Sequence, residues 1–448
     1  MRGLPTRRLN VYRAPILQSL SPSQLEFWPD GALAMDDNGM ILACGPWQTI
    51  VPQVQGGDMS LTVFPKGSLI LPGLIDLHTH LPQLPVAGRP RAGLLDWLES
   101  VVYPAESRFC EERYARQTIH WFFRELLSHG ITTAGVLLTT HSQAARVAFE
   151  TADQMGNRVV MGLTLMDGHG PGSLIRPADA LLRDADSLCR TWHGHEKNRI
   201  RYAFCPRYAL ACSPDLLRGT ARLLEQHPGA FCHTHLAEQR DEVAAVRDAF
   251  PDAASYTDVY HQAGLLGDHT LLAHAIHLNE AEFDAIQAAH ARVIHCPSAN
   301  LFLKSGRFRW GEARGRDIRV GLGSDVGAGP SLNMLGVMRD ALTIQSDPHG
   351  GAAPDAPTVE ELFYAATLGA ADALGSSDRL GSLKPGKEAD FIVLNLSARS
   401  SLPGDLLQQP AHDLLASLIW LGDERLVSKT FVRGQEVYPQ NEGLIFGI

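Results

Sequence analysis

Between residues 69 and 327 the chain repeats one pattern eight times: a short apolar run, then a stretch with helical spacing. The runs are LILPGLIDLH, TTAGVLLTTH, RVVMGLTLMD, IRYAFCPRYAL, AFCHTHLAE, TLLAHAIHL, ARVIHCPSA and RVGLGSDVG. Runs of this length read as buried strands, and their alternation with helices predicts a parallel sheet. Eight such units over about 300 residues predict an α/β fold, a (β/α)8 TIM-like barrel. Helix signals punctuate the pattern. Ser213-Pro214 offers an N-cap with proline at the first helical position. Ser142 opens a helix that Gly156 closes, and Thr358 with Glu361 forms a capping box before LFYAATLGAADAL.

The two ends read differently. Residues 10–70 are strand-like and turn-rich, with Asp36-Asp37-Asn38-Gly39 as a hairpin turn. The style returns after 378, where Pro385-Gly386 precedes a strand and LVSKTFVRGQEVY alternates around Gly434. These ends predict one small β-sandwich domain, residues 1–71 with 378–448, attached to a barrel over 72–377. The stretch 347–357 reads as a loop, and no internal repeat is visible. The first 25 residues carry Arg2, Arg7, Arg8 and Arg13 and no acid. Their apolar part is short and broken by Pro15, so they read as the approach to a first strand rather than a targeting peptide.

Composition narrows the partners. The 448 residues carry 39 basic and 49 acidic side chains, a net charge of −10. With no basic block, binding to a nucleic-acid backbone is not expected. No apolar run approaches the length of a membrane span. Seven scattered cysteines without a C-x-x-C pair read as reduced core thiols of a cytoplasmic protein. Nineteen histidines remain, and their positions matter.

In a strand, residues two apart face the same side, so His78 and His80 both point into the barrel mouth. His235, His274 and Asp325 fall at the ends of the fifth, sixth and eighth runs. Those ends build the active site in this fold. Imidazoles with one carboxylate form a nitrogen–oxygen donor set suited to Zn2+, one per chain, with a position left for water. Glu238, three residues past His235, can reach over that water and shuttle its proton. The plain reading of Glu238 is a residue that favours a helix N-terminus.

With these residues in view, the chain resembles the amidohydrolase superfamily, in its cytosine-deaminase and chlorohydrolase branch. It is most similar to the guanine deaminase family along nearly its whole length. PGLIDLHTH, HLAE and GSD carry the first resemblance; PAESRF, CPRYAL and LGDERLVSKTFV carry the second. The resemblance implies a zinc-dependent hydrolysis of free guanine by water to xanthine and ammonia, in purine catabolism, by a homodimer. It implies zinc on His78, His80, His235, His274 and Asp325, with Glu238 and Asp325 moving protons. Gln83 and Arg207 are implied as substrate contacts, and Tyr208 lines the purine pocket where the family often has Phe. Gln239 replaces the Asn often found after the shuttle glutamate.

Two other readings stand beside this one. A relative could act on another amino-heterocycle or amidine, such as 8-oxoguanine, a pterin or a formimino compound. A barrel scaffold without catalysis would be expected to lack the ligands. Among the remaining histidines, His233 is in register with His235 and reads as packing or support for a ligand. His141 and His277 are positioned to orient a ligand or the substrate, and Ser298 and Asn300 to shape the pocket. Trp97 reads as part of a packed lid-like segment, and Cys205 and Cys212 as packing. No lysine ends the fourth run, which argues against a two-metal centre bridged by a carbamylated lysine.

Overall fold

The computed structural model describes residues 9–54, 58–91, 93–346 and 355–439. Arg2, Arg7 and Arg8, and residues 347–354 of the expected loop, lie outside the described residues. All eight apolar runs become barrel strands: β1 (Leu74–His80), β2 (Ile131–Leu137), β3 (Arg158–Gly162), β4 (Ile200–Pro206), β5 (Phe231–Leu236), β6 (Thr270–His274), β7 (Arg292–His295) and β8 (Val320–Leu322). They pair in parallel and in sequence order. Backbone bonds close the ring past the strand ends, from Asp325 N to His78 O at 2.8 Å and from His80 N to Val326 O at 2.9 Å. The strands are buried almost throughout, as a sheet covered by helices requires.

The first run is shared between two sheets. Ser68–Pro72 pairs antiparallel with Phe391–Asn395 in the terminal sheet, and only Leu74–His80 enters the barrel. Gly73 is the changeover. A Cβ there would lie 2.0 Å from Thr132 Oγ1, so only glycine lets the chain pass this close to β2.

Strands from both ends form one eight-stranded sheet, in which the long strand Leu9–Ser21 pairs with Gln24–Asp36 and with the segments Met59–Val63 and Ser68–Pro72. The sheet curls over a shared core. Ile41, near one edge, belongs to the same buried cluster as Phe431 near the other, with Ile70 and Phe391 between them. The hairpin turn forms as read, with Asp36 Oδ1 accepting from Asn38 N and Met40 N at 2.9 Å. The C-terminal segment also carries the helix Ala411–Leu421, which packs on Met334–Gln345 and Val359–Ala365 of the barrel.

The capping signals hold at Ser213 and Thr358, whereas His141 precedes the helix at Ser142 without a side-chain cap. Ser213 Oγ accepts from Leu216 N at 3.1 Å, and Thr358 and Glu361 form their reciprocal pair. The helix after that box is not continuous, however. It breaks at Thr367 (φ −136°, ψ −100°), whose hydroxyl bonds back to Phe363 O.

Candidate active site

The side chains of interest stand at the C-terminal ends of the barrel strands. His78 and His80 occupy alternate positions of β1, His235 lies on β5, His274 ends β6, and Asp325 follows β8. Asp325 Oδ1 is 3.3 Å from Nε2 of both His78 and His80, and its Oδ2 is 3.6 Å from His274 Nε2. His80 Nε2 faces His235 Nε2 at 3.1 Å. Potential ligand atoms of His78, His80, His235 and Asp325 lie within 4.8 Å of one another, as do those of His78, His274, Cys296 and Asp325. The five residues named from the sequence therefore converge on one place.

Partners on the far side aim these rings. His235 Nδ1 donates to Arg207 O at 2.6 Å, and His274 Nδ1 to Asn300 Oδ1 at 3.0 Å. His78 Nδ1 shares a 2.7 Å hydrogen bond with His233 Nε2. The bonds to Arg207 O and Asn300 Oδ1 fix the tautomers of His235 and His274 and leave their Nε2 with a lone pair toward the centre. Nε2 of His78 and of His274 is buried with no hydrogen-bond partner. Burial at this degree demands a partner, and a cation at the centre would supply one. Two ring nitrogens 3.1 Å apart likewise need a proton or a cation between them. The site thus fits a metal ion, with imidazoles and a carboxylate as donors.

Electrostatics favour neutral rings at His78 and His235, whereas at His274 burial is outweighed by Glu238 and Asp325, which raise it. Burial lowers His78 to about 4 and holds His233 and His235 well below the usual imidazole range, so these rings stay neutral. Burial opposes ionisation of Asp325, but the surrounding imidazoles of His78, His80 and His274 outweigh it and hold the carboxyl well below its ordinary range. Cys296 is the exception within the cluster: burial first, then nearby carboxylates, push its thiol well up, which disfavours the thiolate needed for ligation.

The backbone is strained where it delivers these groups. Ala237, His274, Ala275 and Asp325 all have positive φ, between 49° and 70°, at a cost on the order of 1–3 kcal/mol each. Asp76 holds two strand ends together. Its carboxylate accepts from His78 N, Ser324 N and Ser324 Oγ, bridging β1 to the segment that carries Asp325. Gly323 permits the approach, since a Cβ there would lie 2.8 Å from His78 Cβ.

Glu238 lies beside the cluster, with Oε2 3.6 Å from His274 Nε2. Its other oxygen accepts from Ser305 Oγ at 3.1 Å, and its backbone N–H donates to Glu242 at 2.9 Å. Burial, with Asp325 and Glu242 nearby, raises Glu238 to about 7 against the pull of His274. Gln239 links the surroundings: its Oε1 accepts from Leu94 N at 3.1 Å, and its amide nitrogen donates to Leu303 O at 2.9 Å and Ser305 Oγ at 3.2 Å. Gln239 thereby ties Leu94 to the loop whose Ser305 bonds Glu238.

A cavity opens next to the cluster, lined by His80, Gln83, Arg207, Tyr208, His235, Glu238, Glu242 and Asp325, and roofed by Leu94, Trp97 and Leu98. Gln83, Arg207 and Tyr208 all line the cavity. Trp97 is 2% exposed, in keeping with a packed roof. The sequence reading missed Glu106. This glutamate, 1% exposed, accepts from Arg207 Nη1 at 2.5 Å, Arg207 Nη2 at 3.0 Å and Gln83 Nε2 at 3.0 Å. It sits inside PAESRF, where no local periodicity marks it. Asp76 was missed too, although it shares the inward register of His78.

The lesser candidates separate. His233 supports His78. His277 Nε2 donates to Ser305 O at 2.8 Å, steadying the loop behind Glu238. Asn300 orients His274, whereas Ser298 turns away to Asp340. His141 belongs to neither cluster. Cys205 and Cys212 are buried and free.

Residues 69–437 match the amidohydrolase family. The guanine deaminase of Escherichia coli (strain K12) is 36% identical over 427 residues, covering 94% of this chain and 93% of its own. Among solved structures, the E. coli guanine deaminase superposes with a TM-score of 0.88 at 33% identity, over 97% of this chain and 99% of that one. The guanine deaminase from Bradyrhizobium japonicum superposes at 0.89 with 30% identity, over 97% and 100%. By the barrel, by the cluster at its mouth and by these likenesses, the chain belongs to the amidohydrolase family.

Proposed function

We propose that the chain is a zinc-dependent guanine aminohydrolase, which converts guanine and water to xanthine and ammonia. The observation that carries the reading is a nitrogen–oxygen donor cluster facing the same cavity as Gln83 and Arg207. Likeness to guanine deaminases at 30% identity or more, over nearly the whole chain, supports the choice of substrate.

In this reading His78, His80, His235, His274 and Asp325 hold the zinc ion. When bound, zinc brings the pKa of a water to about 7 and so makes hydroxide accessible at neutral pH. Arg207 and Gln83 donate hydrogen bonds to the carbonyl oxygen on C6 of guanine and orient C2 toward the cluster. Asp325 accepts the proton that the attacking water gives up. Glu238 donates a proton to the ring nitrogen adjacent to C2, then relays one to the amino group as it leaves as ammonia. Leu94, Trp97 and Leu98 keep bulk water from the reacting atoms.

Residues 1–71 with 378–448 form the discontinuous β-domain of this reading, and 72–377 the catalytic barrel. A cytoplasmic setting in purine catabolism and a homodimeric state belong to the same proposal. Seven free cysteines, five of them buried, suit a reducing compartment. No helix among the described residues is long and apolar enough to cross a membrane.

Metal analysis of the purified protein is expected to give one zinc per chain. Dialysis against a chelator should remove guanine turnover, and added zinc should restore it. Full turnover by chelated, metal-free protein would overturn the metal assignment.

A further inference from the structure

Two donors face the cavity wall, and a single buried carboxylate governs both. Arg207 and Gln83 come from different parts of the barrel, after β4 and after β1, and neither touches the other in the hydrogen-bond network. Glu106 joins them. Its Oε2 takes Arg207 Nη1, and its Oε1 takes both Arg207 Nη2 and Gln83 Nε2. Tyr103, one turn earlier, lies against the guanidinium with 5.2 Å from Cζ to the ring centroid. Burial alone would lower the Arg207 pKa, and the Glu106 carboxylate reverses that.

The consequence for Gln83 is a fixed polarity. Its Oε1 accepts from Gly327 N at 3.4 Å while its nitrogen serves Glu106. Turning the amide over would set its oxygen against the carboxylate and its N–H groups against the N–H of Gly327. The amide nitrogen has two hydrogens and spends one on Glu106, so one N–H remains to donate, on the side of the amide that Glu106 fixes. Arg207 has only donors to offer. The shared carboxylate also cancels the guanidinium charge, so the wall presents donors without a net positive charge.

We infer that Glu106 is a positioning residue that sets substrate choice, by holding the N–H donors of Gln83 and Arg207 in a wall that accepts a neutral purine with an oxygen at C6 and rejects one with an amino group there. The inference rests on the guanine reading and goes beyond it, because it names what selects the oxo group. A 6-amino purine would bring N–H against N–H and leave buried donors unpaired. Sites built on such pairing discriminate far more strongly than apolar pockets do.

The test uses guanine and 2,6-diaminopurine, which carries the same 2-amino group with an amino group in place of the C6 oxygen. Ammonia release from each gives the ratio of kcat/KM. The wild-type ratio is expected to favour guanine by about a hundredfold or more. In Glu106→Gln the ratio should fall by at least about tenfold, mainly through a higher KM for guanine, with metal content unchanged. Glu106→Asp, which keeps the charge, should recover part of the ratio. Gln83→Leu leaves the Glu106–Arg207 pair in place and should also shrink the ratio, which decides the matter if Glu106→Gln does not fold. A lower Tm with an unchanged ratio in folded Glu106→Gln, or an unchanged ratio in Gln83→Leu, would overturn the inference. If the wild-type protein releases no ammonia from guanine, the functional reading falls and this inference falls with it. If it does and only the ratios fail to move, the positioning role alone is wrong.

Discussion

Glu238→Gln is expected to lower guanine turnover by about 10³-fold, the middle of the range for a general acid–base group, while leaving the metal bound. The substitution is close to isosteric. A glutamine can still accept from Ser305 Oγ, and the backbone bond from residue 238 to Glu242 does not involve its side chain. What disappears is the proton that the carboxyl carries. Burial and the carboxylates of Asp325 and Glu242 raise Glu238 to about 7, so it can both take and give a proton near neutrality. The checks are ammonia release and zinc content on the same preparation. Activity within tenfold of wild type, with zinc retained, would show that Glu238 is not the proton carrier.

The second large effect is on stability. Arg158 opens β3 at the end of the barrel away from the site and is 4% exposed. Its guanidinium reaches Asp390 through Nε at 2.8 Å and Glu388 through Nη2 at 2.6 Å, just before the terminal strand Phe391–Asn395. It thereby fastens the terminal sheet to the barrel. Arg158→Met should cost about 3–5 kcal/mol, because it strands two buried carboxylates that no longer face a full complement of donors. Asp390 would keep the Arg433 N–H, and Glu388 would keep Arg379. The effect depends on pH. Burial pushes the Glu388 carboxyl up, but Arg158 and Arg379 outweigh it and hold it below its ordinary value. A lowered folded-state pKa contributes stability above the unfolded value of about 4.3 and loses it as pH falls through the folded one. The gap between wild type and Arg158→Met, measured by urea unfolding, should be widest near neutral pH and close in acid. A gap that is small at pH 7 would remove this clamp from the account.

Much of the architecture was legible because two periodicities are strong in this chain. The eight apolar runs are short, bounded and separated by helical stretches, so each became a barrel strand. The period of two along β1 located His78 and His80, and the strand-end positions of His235, His274 and Asp325 brought them to the same mouth. What escaped was set by contacts distant in sequence. Glu106 lies 101 residues from Arg207 and 23 from Gln83, on a segment without regular alternation, so no local pattern marks it. The split of LILPGLIDLH at Gly73 was invisible because one apolar run serves two sheets; only the approach of Thr132 reveals it. The terminal β-domain was expected from turn chemistry, but its curl into one continuous sheet depends on the long strand Leu9–Ser21 pairing on both sides. Cys296 read as background, yet it lines the cluster beside His78 and His274.

The most direct test of the whole account is a comparison of substrates on zinc-replete protein. Guanine, 8-oxoguanine, a pterin and a formimino compound would each be incubated with it, and ammonia and the deaminated product quantified against time. The account predicts xanthine and ammonia in equal amounts from guanine, with kcat/KM for guanine above that for every other compound. No xanthine, or faster release from another member of the set, would contradict it.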